Sequence, residues 1–320
     1  MRLHTMLLEI MAEVFGTVKL TFSLTLPVAF LAITCAADTS NVATPYVVFL
    51  GTGAADISTP EKCGCDNCRY IREHGGKNKR LFSSFYAHPG LLIDFSTTGM
   101  ESLKNAGIEP KQIDYLLFTH SHGDHCDPAS VVTLVENRQA SVKGNLQVFC
   151  NFTTAKRLKD YLTALGRKVP IVITELKPYQ VFQAGQWSCM SLAANHAADE
   201  DCLLYLLQCG DHVIFYATDT TWFPVRTFQE VAARKLDIAV VEATFGPRTG
   251  AEYLIGHMNF EFARKVKEYL AKTCLKSNGV FALTHLSLDS CPPYDLLHDK
   301  MAAEGILVPY DGLRLPITKP

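Results

Sequence analysis

The densest chemical signal in the chain is Thr119-His120-Ser121-His122-Gly123-Asp124-His125, where three imidazoles and one carboxylate lie within six residues. Side chains two apart on an extended turn point the same way, so His120 and His122 can reach one metal ion. Asp124 and His125 then reach back toward a second. Imidazole and carboxylate are suitable donors for zinc, manganese or iron. A solvated polar loop does not account for four such residues capping an apolar strand.

The elements that must position these groups are strands. Asp114–Thr119 is apolar and runs directly into the cluster. His196 follows the strand Trp187–Ala194, Asp219 follows Val213–Ala217, and His285 follows Val280–Thr284. Asp94 sits near the exit of Leu91–Phe95. Each of these histidines alone would read as structural or surface-exposed; with the first cluster, coincidence is a poor explanation. Further strands are expected at Pro45–Leu50, which ends in the tight turn Gly51-Thr52-Gly53, and at Leu146–Cys150, Cys202–Gln208 and Ile238–Glu242. Helices are expected from Asp127-Pro128 onward, capped by Asp127, and near Thr153–Leu165, Phe228–Lys235 and Phe260–Lys272. No low-complexity linker divides the body, so residues 45–320 read as one α/β domain with its functional loops past the strand ends.

Composition narrows the class. Apolar residues make up 48% of the 320 and charged residues 19%, enough for a sizeable core, which excludes disordered and fibrous chains. Thirty basic against thirty-two acidic residues leave no global basic field, so nucleic acid is not an expected partner. Residues 1–37 read as a signal peptide or lipoprotein signal: Lys19, an uncharged stretch from Leu20 to Ala37, and a small-residue exit. Pro27, Thr21, Ser23 and Thr25 make that stretch a poor permanent span. Export to the periplasm or exterior is expected, with Cys35 as a candidate lipid attachment point; without a working signal the chain would be cytoplasmic. A chain of this length does not need disulfide staples, and most of the eleven cysteines read as small buried hydrophobes. Cys63-Gly-Cys65-Asp-Asn-Cys68 is the exception.

The pattern Asp94, His120-x-His122-x-Asp124-His125, His196, Asp219, His285 resembles the metallo-β-lactamase superfamily. The resemblance implies an αββα sandwich of two mixed sheets with outer helices and the metals at one edge. It implies that His120, His122 and His196 hold one ion, that Asp124, His125 and His285 hold the other, that Asp219 bridges them, and that Asp94 organises a ligand from behind. A narrower match joins Gly51-Thr52-Gly53-Ala54-Ala55, the CxCxxC run, Gly75-Gly76-Lys77-Asn78-x-Arg80 and Ser83-Ser84. Together these resemble the PhnP-type phosphodiesterases, which open cyclic ribose phosphates. The CxCxxC run is shared with PqqB-type proteins of quinone-cofactor synthesis, while the GGKN segment favours the first group.

In the PhnP-type pattern the three cysteines hold a structural zinc with a histidine three residues beyond the last ligand histidine. Leu288 stands at that place here, and Cys291 is the nearest substitute, followed by His298 or His74. A thiol cluster or a disulfide is the alternative. His257, in Gly256-His257-Met258-Asn259, matches the histidine that contacts substrate phosphate or protonates the leaving group. Lys77, Lys79 and Arg80 are either contacts for an anionic substrate or a solvated basic turn.

The expected function is therefore that of a dinuclear-metal hydrolase using zinc or manganese, with a third, structural zinc. A hydroxide shared by the ions would attack phosphorus in a small or cyclic phosphodiester. His257, Asp124 and Asp219 would be the catalytic residues. The alternatives are a PqqB-like carrier or a hydrolase of another ester, a thioester or a lactam. A small anionic molecule is the expected partner; homodimerisation and lipid-held membrane attachment stay open.

Overall fold

The computed structural model describes residues 45–139, 142, 144–250 and 255–317. The expected signal and Cys35 lie outside the described residues. In chain order the strands of the first half are β1 Tyr46–Gly51, β2 Ser84–Ala87, β3 Leu91–Ile93, β4 Tyr115–Leu117, β5 Leu146–Cys150 and β6 Ile171–Glu175. Those of the second half are β7 Val181–Ala184, β8 Trp187–Ala193, β9 Leu203–Cys209, β10 His212–Ala217, β11 Leu236–Glu242, β12 Leu275–Thr284 and β13 Leu313–Pro316. The α-helices are α1 Thr59–Lys62, α2 Asp66–His74, α3 Gly99–Ala106, α4 Pro128–Gln139, α5 Phe152–Ala164, α6 Val225–Ala232, α7 Phe260–Thr273 and α8 Tyr294–Ala302.

The strands form two mixed sheets, in the orders β13-β1-β2-β3-β4-β5-β6 and β12-β11-β10-β9-β8-β7. Alternation along each strand explains how they stack. Val47 and Phe49 of β1, with Leu117 of β4, face one core; across from them stand Leu203 and Tyr205 of β9, Ile214 and Tyr216 of β10, and Val240 of β11. The alternate residues Val48, Leu50, Leu116 and Val148 face outward onto Leu103 of α3, Val131, Leu134 and Val135 of α4, and Leu158 of α5. On the other side Leu204, Phe215, Val241 and Leu283 face Val231 of α6, Ala263, Val266 and Leu270 of α7, and Leu297 and Met301 of α8. Strands buried on both faces have to read as continuous apolar runs, as β10 and β11 do. The result is the expected αββα sandwich of two mixed sheets with outer helices.

Two details matter for the site. Strands β3 to β6 run parallel, as do β10 to β12, so their carboxyl ends each face one way. The sheets are also pinned together beside the histidine loop: the buried Tyr205 hydroxyl donates to the carbonyl of Phe118, at 2.6 Å. Leu203 N–H donates to the Thr119 carbonyl, at 2.8 Å.

Candidate active site

Asp94, Asp219 and His285 share an unusual backbone. Each leaves a parallel strand in the left-handed region, with φ of 59°, 53° and 52°. Tyr179 is the one other non-glycine residue with positive φ among those described. Such a conformation costs on the order of 1–3 kcal/mol and concentrates at functional sites. Here it falls at the exit of each strand, where Asp94 meets Thr119 and His125, and where Asp219 and His285 meet one another.

All seven residues expected as ligands converge there. His120, His122 and His196 form one cluster and Asp124, His125 and His285 another, the ligand atoms within each lying inside 4.8 Å. Asp219 stands between. Its Oδ1 is 4.0 Å from His120 Nε2 and 3.7 Å from His196 Nε2. Its Oδ2 is 3.0 Å from His125 Nε2 and 3.4 Å from His285 Nε2. Within the clusters His196 Nε2 is 3.2 Å from His122 Nδ1, and His125 Nε2 is 3.2 Å from His285 Nε2. Tetrahedral ligands about 2.05 Å from zinc stand roughly 3.4 Å apart, so these are separations that donors around shared cations adopt. One donor tests the fit further: His120 Nε2 is buried and has no hydrogen-bond partner. A buried imidazole nitrogen aimed at two other imidazoles is satisfied by a cation.

The clustered groups are strongly coupled electrostatically. Burial opposes the charge on Asp219, but His125 and His285 outweigh it and hold the carboxyl well below its usual range. Burial likewise opposes charge on His125, yet Asp219, Asp124 and Asp94 raise it well above the ordinary imidazole value. Burial drives His120 the other way, toward the neutral form that a metal requires.

Behind the ligands lies a second layer of hydrogen bonds. Asp94 is fully buried; its Oδ2 is 2.8 Å from His125 Nδ1, and it accepts from Thr119 N–H and the Thr119 hydroxyl. His196 Nδ1 donates to the Gly256 carbonyl at 2.8 Å, and Thr244 Oγ1 lies 2.8 Å from His285 Nδ1. Each contact turns the opposite ring nitrogen toward the cluster.

His257 enters from the approach to α7, two residues before its cap Asn259. Its Nδ1 is 3.1 Å from Glu242 Oε1 and 3.8 Å from Asp219 Oδ1. Glu242 closes β11 and is fully buried; it also accepts from Thr220 N–H at 2.6 Å, Thr244 Oγ1 at 2.5 Å and Met258 N–H at 3.0 Å. Burial disfavours the charged ring, but Glu242 and then Asp219 push His257 up to about 9. Glu242 was not among the residues expected at the site. The signal was present, since Glu242 is a carboxylate at the exit of an apolar strand, as Asp94 is.

Other expectations need correction. Cys63, Cys65 and Cys68 do gather, with their sulfurs inside 4.8 Å, and Cys65 caps α2 through its sulfur. Cys291, expected as the fourth ligand, instead directs its buried thiol to the carbonyls of Ala243 and Thr244, each at 3.5 Å. Of the substitutes, His74 Nδ1 bonds the Tyr70 carbonyl and His298 Nδ1 lies 2.9 Å from Asp299, contacts that involve only one nitrogen of each ring. Arg80, expected at the substrate, is buried; its guanidinium donates to Thr52 Oγ1 and the Pro309 carbonyl and lies near Asp311. A cation so enclosed braces the chain, with its Nη2 left without a hydrogen-bond partner beside a cavity that Lys79 and Leu81 also line. Lys77 stacks its ammonium over Tyr310, 4.2 Å from the ring centroid, and over Tyr294.

A two-sheet αββα sandwich with histidine and aspartate clusters at the strand ends defines the metallo-β-lactamase class of fold. Residues 90–277 match the family model described as the beta-lactamase superfamily domain, and the chain belongs to that family. No curated protein sequence matches it. Among solved structures, a diphosphatase from the PhnP family aligns over 85% of this chain and 97% of its own, with 20% identity and a TM-score of 0.66. Zinc-bound PqqB from Methylobacterium extorquens aligns over 84% and 99%, with 16% identity and a TM-score of 0.65. The short form of human tRNase Z aligns over 86% and 100%, with 14% identity and a TM-score of 0.63. At such identities the likeness shows the fold.

Proposed function

We propose that the protein is a dinuclear-metal hydrolase of small phosphodiesters, using zinc or manganese. The observation that carries this reading is Asp219, whose two oxygens are divided between the two ligand sets. When bound, the two ions supply a water of lowered pKa as nucleophile and offset charge on the phosphoryl oxygens. The chain's own residues do the rest. Asp94, Thr244 and the Gly256 carbonyl fix the rings of His125, His285 and His196. Glu242 holds Nδ1 of His257, which leaves Nε2 to give a proton to the departing alkoxide.

The choice of phosphorus is supported by this proton donor, which a poor alkoxide leaving group needs, and by the neighbours named as a diphosphatase and a tRNase. A carrier of the PqqB kind would not require a complete ligand set with a buried carboxylate–histidine pair beside it. The test is a panel of bis-p-nitrophenyl phosphate, cyclic nucleotides, a lactam and a thioester, assayed with added Zn2+ and Mn2+. Turnover of the phosphodiesters above the lactam and thioester is expected; the reverse order would overturn the assignment.

A further inference from the structure

We propose that Glu200 and Arg157 form a latch that assembles the three-histidine half of the site across the two sheets and sets how tightly that half holds its ion. The inference rests on the dinuclear reading above and deepens it.

His122 is exposed, as is Gly123 beside it, so this arm of the site has little packing to hold it. On its far side the His122 carbonyl accepts from His125 N–H and Cys126 N–H, at 3.1 and 2.8 Å. On its near side everything depends on Ser121. The Ser121 N–H is shared between both oxygens of Glu200, at 3.2 Å each, and its hydroxyl donates to Glu200 Oε1 at 2.9 Å. Its carbonyl accepts from the guanidinium of Arg157. All three polar groups of the residue between the two ligand histidines are therefore held by two charged side chains. Bonds to ionised partners are roughly twice as strong as neutral ones.

The two partners come from different parts of the fold. Glu200 lies on the loop between β8 and β9, four residues after His196. Arg157 lies on α5, which follows β5 of the other sheet. The cap of that helix, Asn151, joins them: Nδ2 donates to Glu200 Oε2 and to the Asp201 carbonyl, both at 2.9 Å. Glu200 thus ties the loop that carries His196 to the loop that carries His120 and His122. The other half, with Asp124, His125 and His285, is braced through Asp94 and Thr244 instead. Loosening the latch should therefore weaken one ion and spare the other.

Charge alone makes a different prediction, which allows a test. The full chain is stripped of metal and titrated with Co2+, whose thiolate charge-transfer band reports the cysteine cluster apart from the histidine–aspartate site. Glu200→Ala should weaken one of the two ions at that site by about 10–100-fold, the usual effect of removing an outer-shell partner, and leave the other in place. Glu200→Gln should fall between, because its amide oxygen still accepts from Ser121 while its NH2 meets the NH2 of Asn151. Arg157→Ala decides the matter. Removing a positive charge near a cation should tighten binding if only charge counts, whereas the latch predicts weaker binding of the same ion that Glu200→Ala weakens. Tighter or unchanged binding in Arg157→Ala, or equal weakening of both ions in Glu200→Ala, would overturn the latch. If Glu200→Ala does not fold, Arg157→Ala and Glu200→Gln carry the same decision. Wild type taking up fewer than two Co2+ at the histidine–aspartate site would instead contradict the dinuclear reading itself.

Discussion

His257 has one face on Glu242 and a side chain 19% exposed to solvent. As a proton donor it should contribute to turnover and not to metal uptake. Replacing it with alanine is expected to lower kcat by about 10²–10⁴-fold, the usual range for a general acid, with metal content unchanged; parallel loss of both would contradict the role. Glu242 makes a second prediction with a definite sign. Its negative charge is the main cause of the raised His257 pKa. Glu242→Gln removes that charge, the protonated ring becomes less favoured, and the alkaline limb of the kcat/KM profile should move to lower pH. A limb that stays put or moves upward would show that another group titrates there. The ligands were legible in the sequence because four of them cluster directly after one apolar strand, and His196, Asp219 and His285 each follow another. Arg80 was misread because its surroundings, Thr52, Pro309 and Asp311, are up to 231 residues away in sequence. Cys291 was misread for a related reason: spacing put it near the place of a ligand but could not show which way its thiol turns.

At the scale of elements, the site depends on strand ends held in register across two sheets. Tyr205 on β9 links the sheets through the Phe118 carbonyl, directly before the histidine loop. Tyr205→Phe keeps the ring in the core and removes the bond, so it should cost about 0.5–1.5 kcal/mol. Urea unfolding would read this as a lower midpoint with unchanged slope; an unchanged midpoint would show that the bond adds nothing. Continuous apolar strands such as β5, β8 to β11 and the second half of β12 were readable from hydrophobicity alone. Strands β6, β7 and β13 were not, because each lies at or beside a sheet edge and mixes exposed with partly buried residues. Helix α2 was hidden for another reason: it is short, polar and begins within the cysteine run.

At the scale of the whole domain, the two sheets supply different halves of one centre. His120, His122, Asp124 and His125 follow a strand of the first sheet; His196, Asp219 and His285 follow strands of the second. Ions shared between them should act as cross-links of the folded state. Bound ligand at a hundredfold excess over its Kd adds about 2.7 kcal/mol, so chelation should lower Tm by several degrees and re-addition of Zn2+ should restore it. The most direct test of the account is metal stoichiometry. Elemental analysis of wild type should find two ions per chain at the histidine–aspartate site, besides any held by Cys63, Cys65 and Cys68, and Asp219→Ala should lose at least one of the two. An Asp219→Ala protein that still carries both, or a wild type that takes up fewer than two at that site, would contradict it.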